Sequence, residues 1–442
     1  LYLASRFLAP VPEVVRPTSP LEPPVAALIA AKIAAADAAP GNAERRADLA
    51  LAYEANGLWP EALACFEHAV ALRPEPAWRL HLAVATRQTG DASGALDLLR
   101  DLGRDEPAYA PARHHLGEAL LEAGDLEGAE TVFRETIAIS PVLPYGYVGL
   151  GDALLQRGRV EDAVQVLEHA LRIEEGYQRA HYLLGSAYLR LGREAEGERE
   201  RLRGLGATPV RQPDELQPTI SAYTVNLSGR IDLAGAYLDN GSPTEAIRLL
   251  EETARHYPSS VALLNTLASG YLRTRRLDDA ERVLKRALAL DERTFTTPLN
   301  LYTWALYAGR PDEALQFAET AVARGPDQDN THLARAQALV ELGRLEEALR
   351  SADRARELAP GIAQNHGLSG DINLKLSRYE QARTHFERAA ELQPNLFPVW
   401  IGLAQARWNL GLKAEARQAL AEAHRLAPNN RLANELAARY VQ

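Results

Sequence analysis

The sequence predicts an all-α protein built from repeated pairs of helices. Hydrophobic residues make up 46% of the 442 residues and aromatic residues only 6%, and the apolar residues are mostly Ala and Leu, which favour closely packed helices over sheets. Apolar residues recur at three- and four-residue spacing, as at Leu116, Leu120 and Leu121, which is typical of the buried face of a helix. A third observation is a sequence period of 34 residues, and a fixed period of this size indicates a solenoid.

Small residues mark the period in both halves of the chain. In the first half, Gly124, Gly158 and Gly192 are each 34 residues apart. In the second half the period is kept by Ala246, Ala280, Ala314, Ala348, Ala382 and Ala416. Eleven units follow, beginning at residues 43, 76, 110, 144, 178, 227, 261, 295, 329, 363 and 397. Because each unit buries its apolar faces against its neighbours, a chain of this length needs no single large core.

Each unit also carries the local signals of two helices. The Gly at the end of the first helix is expected to adopt the left-handed conformation that closes a helix. Acidic residues such as Glu161 and Asp162 then begin the second helix, where the helix dipole favours negative charge. Small residues at Gly151, Ala163 and Ala170 allow the paired helices to approach closely. Proline near the end of most units stops the second helix.

These residues resemble the tetratricopeptide repeat (TPR) from about residue 43 to residue 430. Clear examples are HHLGEALLEAGDLEGAETVFRETIAISP and WIGLAQARWNLGLKAEARQALAEAHRLAP. The resemblance implies a right-handed TPR superhelical solenoid of about eleven helix-turn-helix repeats with capping helices. It also implies a non-enzymatic scaffold that binds other proteins. A looser similarity, in style of sequence only, connects the chain to exported bacterial TPR arrays associated with c-type cytochromes of the cell envelope.

Breaks in the period divide the chain into six segments. These are an extended Pro-rich arm at 1–24, an N-terminal capping helix at 25–42, units one to five at 43–207, an irregular junction at 208–226, units six to eleven at 227–430 and a C-terminal capping helix at 431–442. In unit five, Gly197, Arg201 and Gly204 replace the expected Ala, apolar residue and Ala, which predicts a weak or short second helix. Tyr302, where Gly or Ala is usual, predicts a milder distortion in unit eight. The junction is interpreted either as a rigid connection or as a hinge.

The two ends of the array need covering segments. In the C-terminal helix we expect Leu432, Leu436 and Tyr440 on one face. The N-terminal arm contains six prolines, which exclude a regular helix, yet it is too apolar to remain free in water. We therefore expect the arm to dock, either on its own solenoid or on a neighbouring subunit. The residues expected to make this contact are Leu1, Tyr2, Leu3, Phe7, Leu8, Val11, Val14 and Val15.

The sequence contains no motif for catalysis and no motif for a cofactor. A Gly-rich phosphate loop, HExxH, GxSxG and the haem-attachment motif CxxCH are all missing. The single cysteine, Cys65, excludes an intrachain disulfide and is expected in the core. His114 and His115 are adjacent and so point to different helix faces, which argues against a shared metal. We expect no enzyme activity, no cofactor and no metal.

Charge and hydropathy argue against nucleic-acid binding and against a membrane-spanning helix. The net charge of −10 is spread along the chain without a basic stripe, so nucleic acid is not an expected partner. No apolar run reaches the roughly 20 residues that a transmembrane helix needs.

Methionine is absent even at position 1, so we expect that an N-terminal segment has been removed, most commonly an export signal. This favours a periplasmic or extracellular location in a bacterium, with the cytoplasm as the alternative.

The remaining candidate site is the concave groove that the resemblance implies along the first helices of the units. Register with the family places fourteen side chains there: His114, Glu118, Tyr145, Asp152, Arg179, Tyr182, Arg190, Asn265, Arg273, Tyr307, Gln337, Asp371, Gln405 and Trp408. The family's basic clamp for acidic C-terminal tails is missing, since its positions carry His114, Glu118, Val148, Asp152 and Tyr182.

Two functions remain open at this stage. The first is a scaffold that holds a partner protein or peptide in the groove, in the bacterial envelope or outside the cell, with an envelope cytochrome complex as one candidate partner. The second is a self-assembling subunit of an extracellular filament or multi-subunit complex, joined through the N-terminal arm.

Overall fold

Antiparallel helix pairs follow one another along the chain. The computed structural model describes residues 12–204 and 212–440, and within these ranges the chain forms 25 α-helices and no strand. The chain divides after Arg230 into two compact units, which we call the first unit and the second unit. In each pair we call the leading helix the A helix and the following helix the B helix.

The first unit contains a capping helix, five pairs and a short extra helix. The capping helix is α1 (Pro23–Asp37). The A helices are α2 (Ala43–Ala55), α4 (Pro76–Gln88), α6 (Ala110–Glu122), α8 (Tyr145–Gln156) and α10 (Gln178–Arg190). The B helices are α3 (Trp59–Leu72), α5 (Ala92–Asp105), α7 (Leu126–Ile139), α9 (Val160–Ile173) and α11 (Glu194–Arg203). The extra helix is α12 (Gln217–Tyr223).

Six further pairs and a final helix complete the chain. The A helices are α13 (Leu227–Asp239), which begins in the first unit, α15 (Val261–Arg273), α17 (Thr296–Tyr307), α19 (Asp329–Glu341), α21 (Ala363–Lys375) and α23 (Phe397–Asn409). The B helices are α14 (Pro243–Ala254), α16 (Leu277–Leu290), α18 (Pro311–Arg324), α20 (Leu345–Leu358), α22 (Tyr379–Leu392) and α24 (Lys413–Leu426). The final helix is α25 (Arg431–Tyr440).

The turn within each pair uses a residue in the left-handed conformation. Gly124, Gly158 and Gly192 have φ values of +80°, +78° and +72°, as predicted from their position at the end of the A helix. The same position carries Arg275 (φ +58°) and Ser377 (φ +61°) in two pairs of the second unit. Non-glycine residues adopt this conformation at a cost, since Cβ approaches the following carbonyl oxygen. The fold therefore imposes the conformation even where the residue disfavours it.

The pairs pack by placing glycines against large side chains. The ring of Phe133 lies between two glycines of neighbouring A helices, and a β-carbon added to Gly117 or Gly149 would lie 2.6 Å or 2.2 Å from the nearest ring atom. At Gly151 an added β-carbon would lie 2.5 Å from Leu167. Because closely packed interiors tolerate little added volume, these glycines set the distance between helices.

Large side chains also pack against small residues in the second unit, and in one pair the large and small positions are exchanged. Phe386 lies between Gly370 and Gly402, whose added β-carbons would approach the ring to 2.7 Å and 2.3 Å. In unit eight the register pairs Tyr302 with Ala318, and both residues are buried. The large residue here lies on the A helix and the small one on the B helix. Tyr302 is thus accommodated by a smaller partner, and its hydroxyl donates a hydrogen bond to Gln337 (2.7 Å).

The B helix of unit five and the final helix depart from the regular pairs. Helix α11 has 10 residues, whereas α9 has 14. In α25 the buried residues are Ala433, Leu436 and Tyr440, and Leu432 is 46% exposed. Two of the three residues expected on one face, Leu436 and Tyr440, are therefore buried, and Leu432 is not. The ring of Tyr440 stacks on Trp408 with centroids 4.0 Å apart.

The described part of the N-terminal arm, residues 12–22, packs on the first repeat of its own chain. Arg46 is 1% exposed and its guanidinium donates to the carbonyl oxygens of Pro12 and Glu13. The hydroxyl of Tyr53 donates to the carbonyl of Val15 (2.8 Å). Val14 and Val15 pack against the apolar core of the first repeats. The other residues expected in this contact, Leu1, Tyr2, Leu3, Phe7, Leu8 and Val11, lie outside the described residues.

Within the described ranges, none of the helices has the length and hydropathy that crossing a membrane requires.

Replacing Ser377 with Gly is expected to raise the free energy of unfolding by about 0.5–1 kcal/mol. Ser377 has φ +61° and is exposed, so the change relieves backbone strain without removing buried contacts, although the unfolded chain gains some entropy. The reverse change, Gly343→Ser at the equivalent turn (φ +70°), should lower the free energy of unfolding by about 1 kcal/mol. Urea denaturation of the two variants measures both effects; equal stabilities would contradict the prediction.

Candidate functional site

The A helices of the first unit form a surface on the side away from the B helices, which we call the A-helix surface. Residues 212–226, which we call the return segment, lie on one end of it. Helix α12 of this segment packs against α2, and Leu216, Ile220, Tyr223 and Val225 pack against the core of the first repeats. The junction predicted to be irregular at 208–226 thus contains a short helix and is partly docked on its own chain.

A buried histidine joins the return segment to α4. His81 lies between two carboxylates, with Nδ1 2.8 Å from Glu54 Oε2 and Nε2 2.9 Å from Asp214 Oδ2. Burial by itself would lower the pKa of His81, but the hydrogen bonds with Asp214 and Glu54 outweigh it and raise the pKa to about 10. Both ring nitrogens are therefore protonated at neutral pH and both donate. The side chains of His81 and Asp214 are each only 7% exposed, so this is a buried ion pair.

Polar contacts continue from His81 to the end of the return segment. Tyr223 donates to Asp48 and meets Lys32, whose ammonium lies 4.0 Å from the centre of the Tyr223 ring. Asn56 binds the backbone: its Oδ1 accepts from the amides of Val225 and Asn226, both at 3.1 Å, and its Nδ2 donates to the carbonyl of Tyr223 (2.9 Å). The return segment is therefore held through both its main chain and the side chains of Tyr223 and Asn226.

Sequence reasoning missed this docking. Asp214 is 133 residues from its partner His81, and no periodic signal connects positions so far apart. The available signal was local: Leu216 and Ile220 are four residues apart, which is one helix face.

Next to the covered end, the A-helix surface contains a cavity of about 240 Å³ between α6, α8 and the start of α10. We call it the α6–α8 cavity. Its lining consists of His114, Glu118, Leu121, Glu122, Phe133, Tyr145, Val148, Gly149, Asp152, Gln156, Tyr177 and Arg179. Five of the predicted groove residues therefore meet in one place: His114, Glu118, Tyr145, Asp152 and Arg179.

His114 is the unusual residue of the α6–α8 cavity. It is 3% exposed, and neither ring nitrogen has a hydrogen-bond partner. Its nearest charged neighbour is Glu118, with Nε2 and Oε1 3.6 Å apart, and its ring packs near Phe133 (5.8 Å between centroids) and Tyr145 (6.1 Å). A buried polar group without a hydrogen bond is costly. This cost would be relieved by a ligand that offers a hydrogen bond.

The other charges of this cavity are arranged around its edge. The guanidinium of Arg179 binds Asp152 (2.8 Å) and lies 5.7 Å from the ring of Tyr182, which is therefore beside the cavity. Tyr145 and Tyr177 meet edge to face, with centroids 5.9 Å apart. The walls are thus largely aromatic and aliphatic, and the polar groups lie where a ligand would be oriented.

Several predicted groove residues instead hold the repeats together. Arg190 donates to the carbonyl of Leu155 (2.6 Å), and Arg273 makes the equivalent bond to Leu238. Asn265 is buried and its amide donates to Thr297 (2.8 Å). Their position on A helices is the one expected, but their polar groups already serve contacts between neighbouring units.

The remaining predicted residues lie in the second unit. Gln337 and Asp371 line a cavity of about 220 Å³ between α19, α21 and α23, and burial raises the pKa of Asp371 to about 6 even though its side chain reaches solvent. Tyr307 lies under the guanidinium of Arg275 (3.8 Å). Gln405 is half-buried, and Trp408 stacks on the final helix. Two of the predicted groove residues line this cavity, whereas five line the α6–α8 cavity.

The recurring histidines have a structural role. His181, His332 and His366 each donate from Nε2 to the backbone carbonyl six residues earlier, at 2.7–2.9 Å. They close the turn that leads into their A helix. In the described part of the chain, no three His, Cys, Asp or Glu side chains are grouped so as to hold a metal ion. Cys65 is buried, which raises the pKa of its thiol to about 12.

Comparison with known proteins identifies the repeats. A family model described as tetratricopeptide repeat matches residues 87–142, 231–294, 305–368 and 373–440, which together are more than half of the chain. A second tetratricopeptide repeat model matches residues 47–108, and a model described as TPR repeat matches residues 151–192. A search of curated proteins finds no match.

Solved structures of similar fold include proteins from several systems. The APC/C hetero-tetramer Cut9–Hcn1 is 14% identical and covers 87% of this chain and 94% of that chain, with a TM-score of 0.47. Yeast Tom70 is 13% identical and covers 90% of this chain and 95% of that chain, with a TM-score of 0.41. PilF of Pseudomonas aeruginosa is 18% identical and covers 48% of this chain and 96% of that chain, with a TM-score of 0.43. At these values the likenesses say nothing about the partner of this chain.

Replacing Asp214 with Asn is expected to lower the free energy of unfolding by about 2 kcal/mol, since it removes one carboxylate from a buried, charge-assisted hydrogen bond. Chemical denaturation measures the loss. The matched control is Glu215→Gln on the same segment, where an exposed carboxylate accepts from Tyr109 (3.0 Å) and the cost should stay below about 0.5 kcal/mol. Equal costs in the two variants would show that the His81 contact does not hold the segment.

The same contact predicts a pH dependence of stability. Because the folded pKa of His81, about 10, exceeds its ordinary value of 6.5, its contribution is complete below pH 6.5 and is lost as pH rises through 10. Burial by itself would raise the pKa of Asp214, but the hydrogen bond with His81 outweighs burial and lowers the pKa. The stability that the Asp214 carboxylate contributes is therefore lost only in acid. We expect the denaturant concentration at the unfolding midpoint to decrease as the pH is raised from 6 to 9. The decrease should be smaller in Asp214→Asn. NMR titration of the His81 ring provides the direct check.

Proposed function

Because the chain belongs to the tetratricopeptide-repeat family, we propose that it is a protein-interaction scaffold that holds a segment of a partner protein on the A-helix surface of its first unit. The binding site is the α6–α8 cavity and the surface beside it. The observation that carries the proposal is His114, a buried side chain in the cavity whose ring nitrogens lack hydrogen-bond partners. TPR proteins bind protein partners and generally act as non-enzymatic scaffolds, and we propose the same role for this chain.

The return segment supports this choice of surface. It is a stretch of polypeptide that the A helices already bind, through backbone hydrogen bonds to Asn56 and a buried ion pair with His81. A surface that orders its own chain in this way offers preformed donors and acceptors to a second stretch of chain. Preformed sites reduce the ordering cost of binding a flexible peptide.

The covered end also limits where a partner binds. Helices α2 and α4 and the start of α6 contact the return segment. The cavity and Tyr182 lie beyond these contacts, on the rest of α6 and on α8 and α10. A partner of the first unit therefore engages units three to five.

The alternative of a filament joined through the N-terminal arm has less support. Val14 and Val15, the described residues of that predicted contact, pack on the first repeat of the same chain. A location in the bacterial envelope or outside the cell stays a prediction.

The test selects peptides with the folded chain as bait, using a display library of random twelve-residue peptides. We expect a family of related peptides whose affinity falls at least tenfold, about 1.4 kcal/mol, in Tyr145→Ala, since aromatic anchors dominate such interfaces. The matched control is Tyr147→Ala on the same helix, because Tyr147 packs on His169 (4.5 Å between centroids) and does not line the cavity. Its affinity should change less than twofold, measured by fluorescence anisotropy on variants with unchanged circular dichroism.

Failure of the selection, or selected peptides that bind Tyr145→Ala as tightly as the parent chain, would show that this surface does not hold a partner segment.

A further inference from the structure

The charges around the α6–α8 cavity are mostly negative. Three carboxylates line it, those of Glu118, Glu122 and Asp152, against one guanidinium, that of Arg179. Glu118 and Asp152 are close to the interior, with side chains 20% and 19% exposed. Glu122 lies at the edge, 59% exposed and paired with Arg87 (3.1 Å). Apart from the state of His114, the lining residues have a net formal charge of −2, or −1 when Arg87, the partner of Glu122, is included, so the cavity attracts cations.

The uncharged walls suit a long aliphatic or planar cationic side chain. Leu121, Val148 and Phe133 line the cavity with carbon atoms, and Tyr145 and Tyr177 present aromatic rings. Lysine and arginine bury their methylene stems on apolar surface and keep the charged end on polar groups. Their cations are also attracted to aromatic faces. A volume of about 240 Å³ accommodates one such side chain.

His114 adds an observation independent of the carboxylates. It is 3% exposed, it lines the cavity, and both ring nitrogens lack hydrogen-bond partners. A neutral imidazole has one nitrogen that accepts a hydrogen bond. An ammonium or guanidinium entering between Glu118 and Asp152 would bring N–H donors to this nitrogen and to the carboxylates together.

We infer that the α6–α8 cavity takes a single basic side chain, arginine or lysine, from the partner segment. The inference rests on the proposed function and adds the chemistry of the anchor residue. In the bound state Glu118 and Asp152 neutralise the cation, His114 accepts one of its hydrogen bonds, and the aromatic rings cover its stem. Charge complementarity of this kind sets specificity and register along an extended peptide.

The experiment uses the peptides selected with the parent chain. We expect Arg or Lys at one position of the consensus. Citrulline (for Arg) keeps the length of the side chain and removes its charge, and norleucine (for Lys) keeps the aliphatic stem and removes the ammonium group. The replacement should weaken binding at least tenfold on the parent chain and less than threefold on Glu118→Gln, because the two changes remove the same interaction. Glu127→Gln, an exposed carboxylate on α7 outside the cavity, is the matched control and should behave as the parent chain does.

Reversing the charge of Glu118 gives a second test of the same site. Selection with Glu118→Lys should replace the basic consensus position by Glu or Asp, while dependence on Tyr145 is retained. Glu118→Gln and Glu118→Lys are both checked by circular dichroism, since the Glu118 side chain is only 20% exposed.

The outcomes separate the two proposals. A consensus with an aromatic or acidic residue at the anchor position, sensitive to Tyr145→Ala but not to Glu118→Gln, would overturn the basic anchor and leave the scaffold function standing. Basic peptides that bind Glu118→Gln and Glu118→Lys as they bind the parent chain would also overturn it. If no peptide is selected, both proposals fail together.

Discussion

Stacking of helix pairs is the constraint on which the rest of the structure depends. A single pair cannot bury its apolar faces, so each one is completed by its neighbours. The contact places a large side chain against small partners, as with Phe133 between Gly117 and Gly149. Where the A helix carries the large residue, as at Tyr302, the B helix carries Ala318. Total volume is conserved although the positions are exchanged, which is what a closely packed interior requires.

Because the packing contacts lie between the A and B helices, the A-helix surface is available for polar contacts. The residues that pair the helices face the B helices, and side chains on the opposite side make other contacts. At one end they bind the return segment through His81 and Asn56. Next to that end they surround a cavity with His114 at its wall. The rigid pairs hold both sets of side chains in place, and rigid support is what a binding site needs.

Much of the fold could be predicted because its determinants are local and repeated. Glycines at the ends of A helices, small residues at the tight contacts and the apolar spacing within helices recur with one period, so each unit supports the interpretation of the next. Single, unrepeated elements were predicted less well. In the final helix Ala433, Leu436 and Tyr440 are buried and Leu432 is 46% exposed, a detail that no repeated position of the sequence specifies. The short helix α12 was not expected, since no repeat announces it.

By itself the sequence determined the all-α repeat architecture and the register that places His114, Glu118, Tyr145, Asp152 and Arg179 on A helices. Periodicity is sufficient for that, because it specifies a face of a helix. Tertiary structure decided which of the face residues meet in a cavity and which are used between units. It also decided that part of the surface is covered by the chain itself. Contacts such as that of His81 with a residue 133 positions away follow from the path of the folded chain, and no short-range pattern encodes that path.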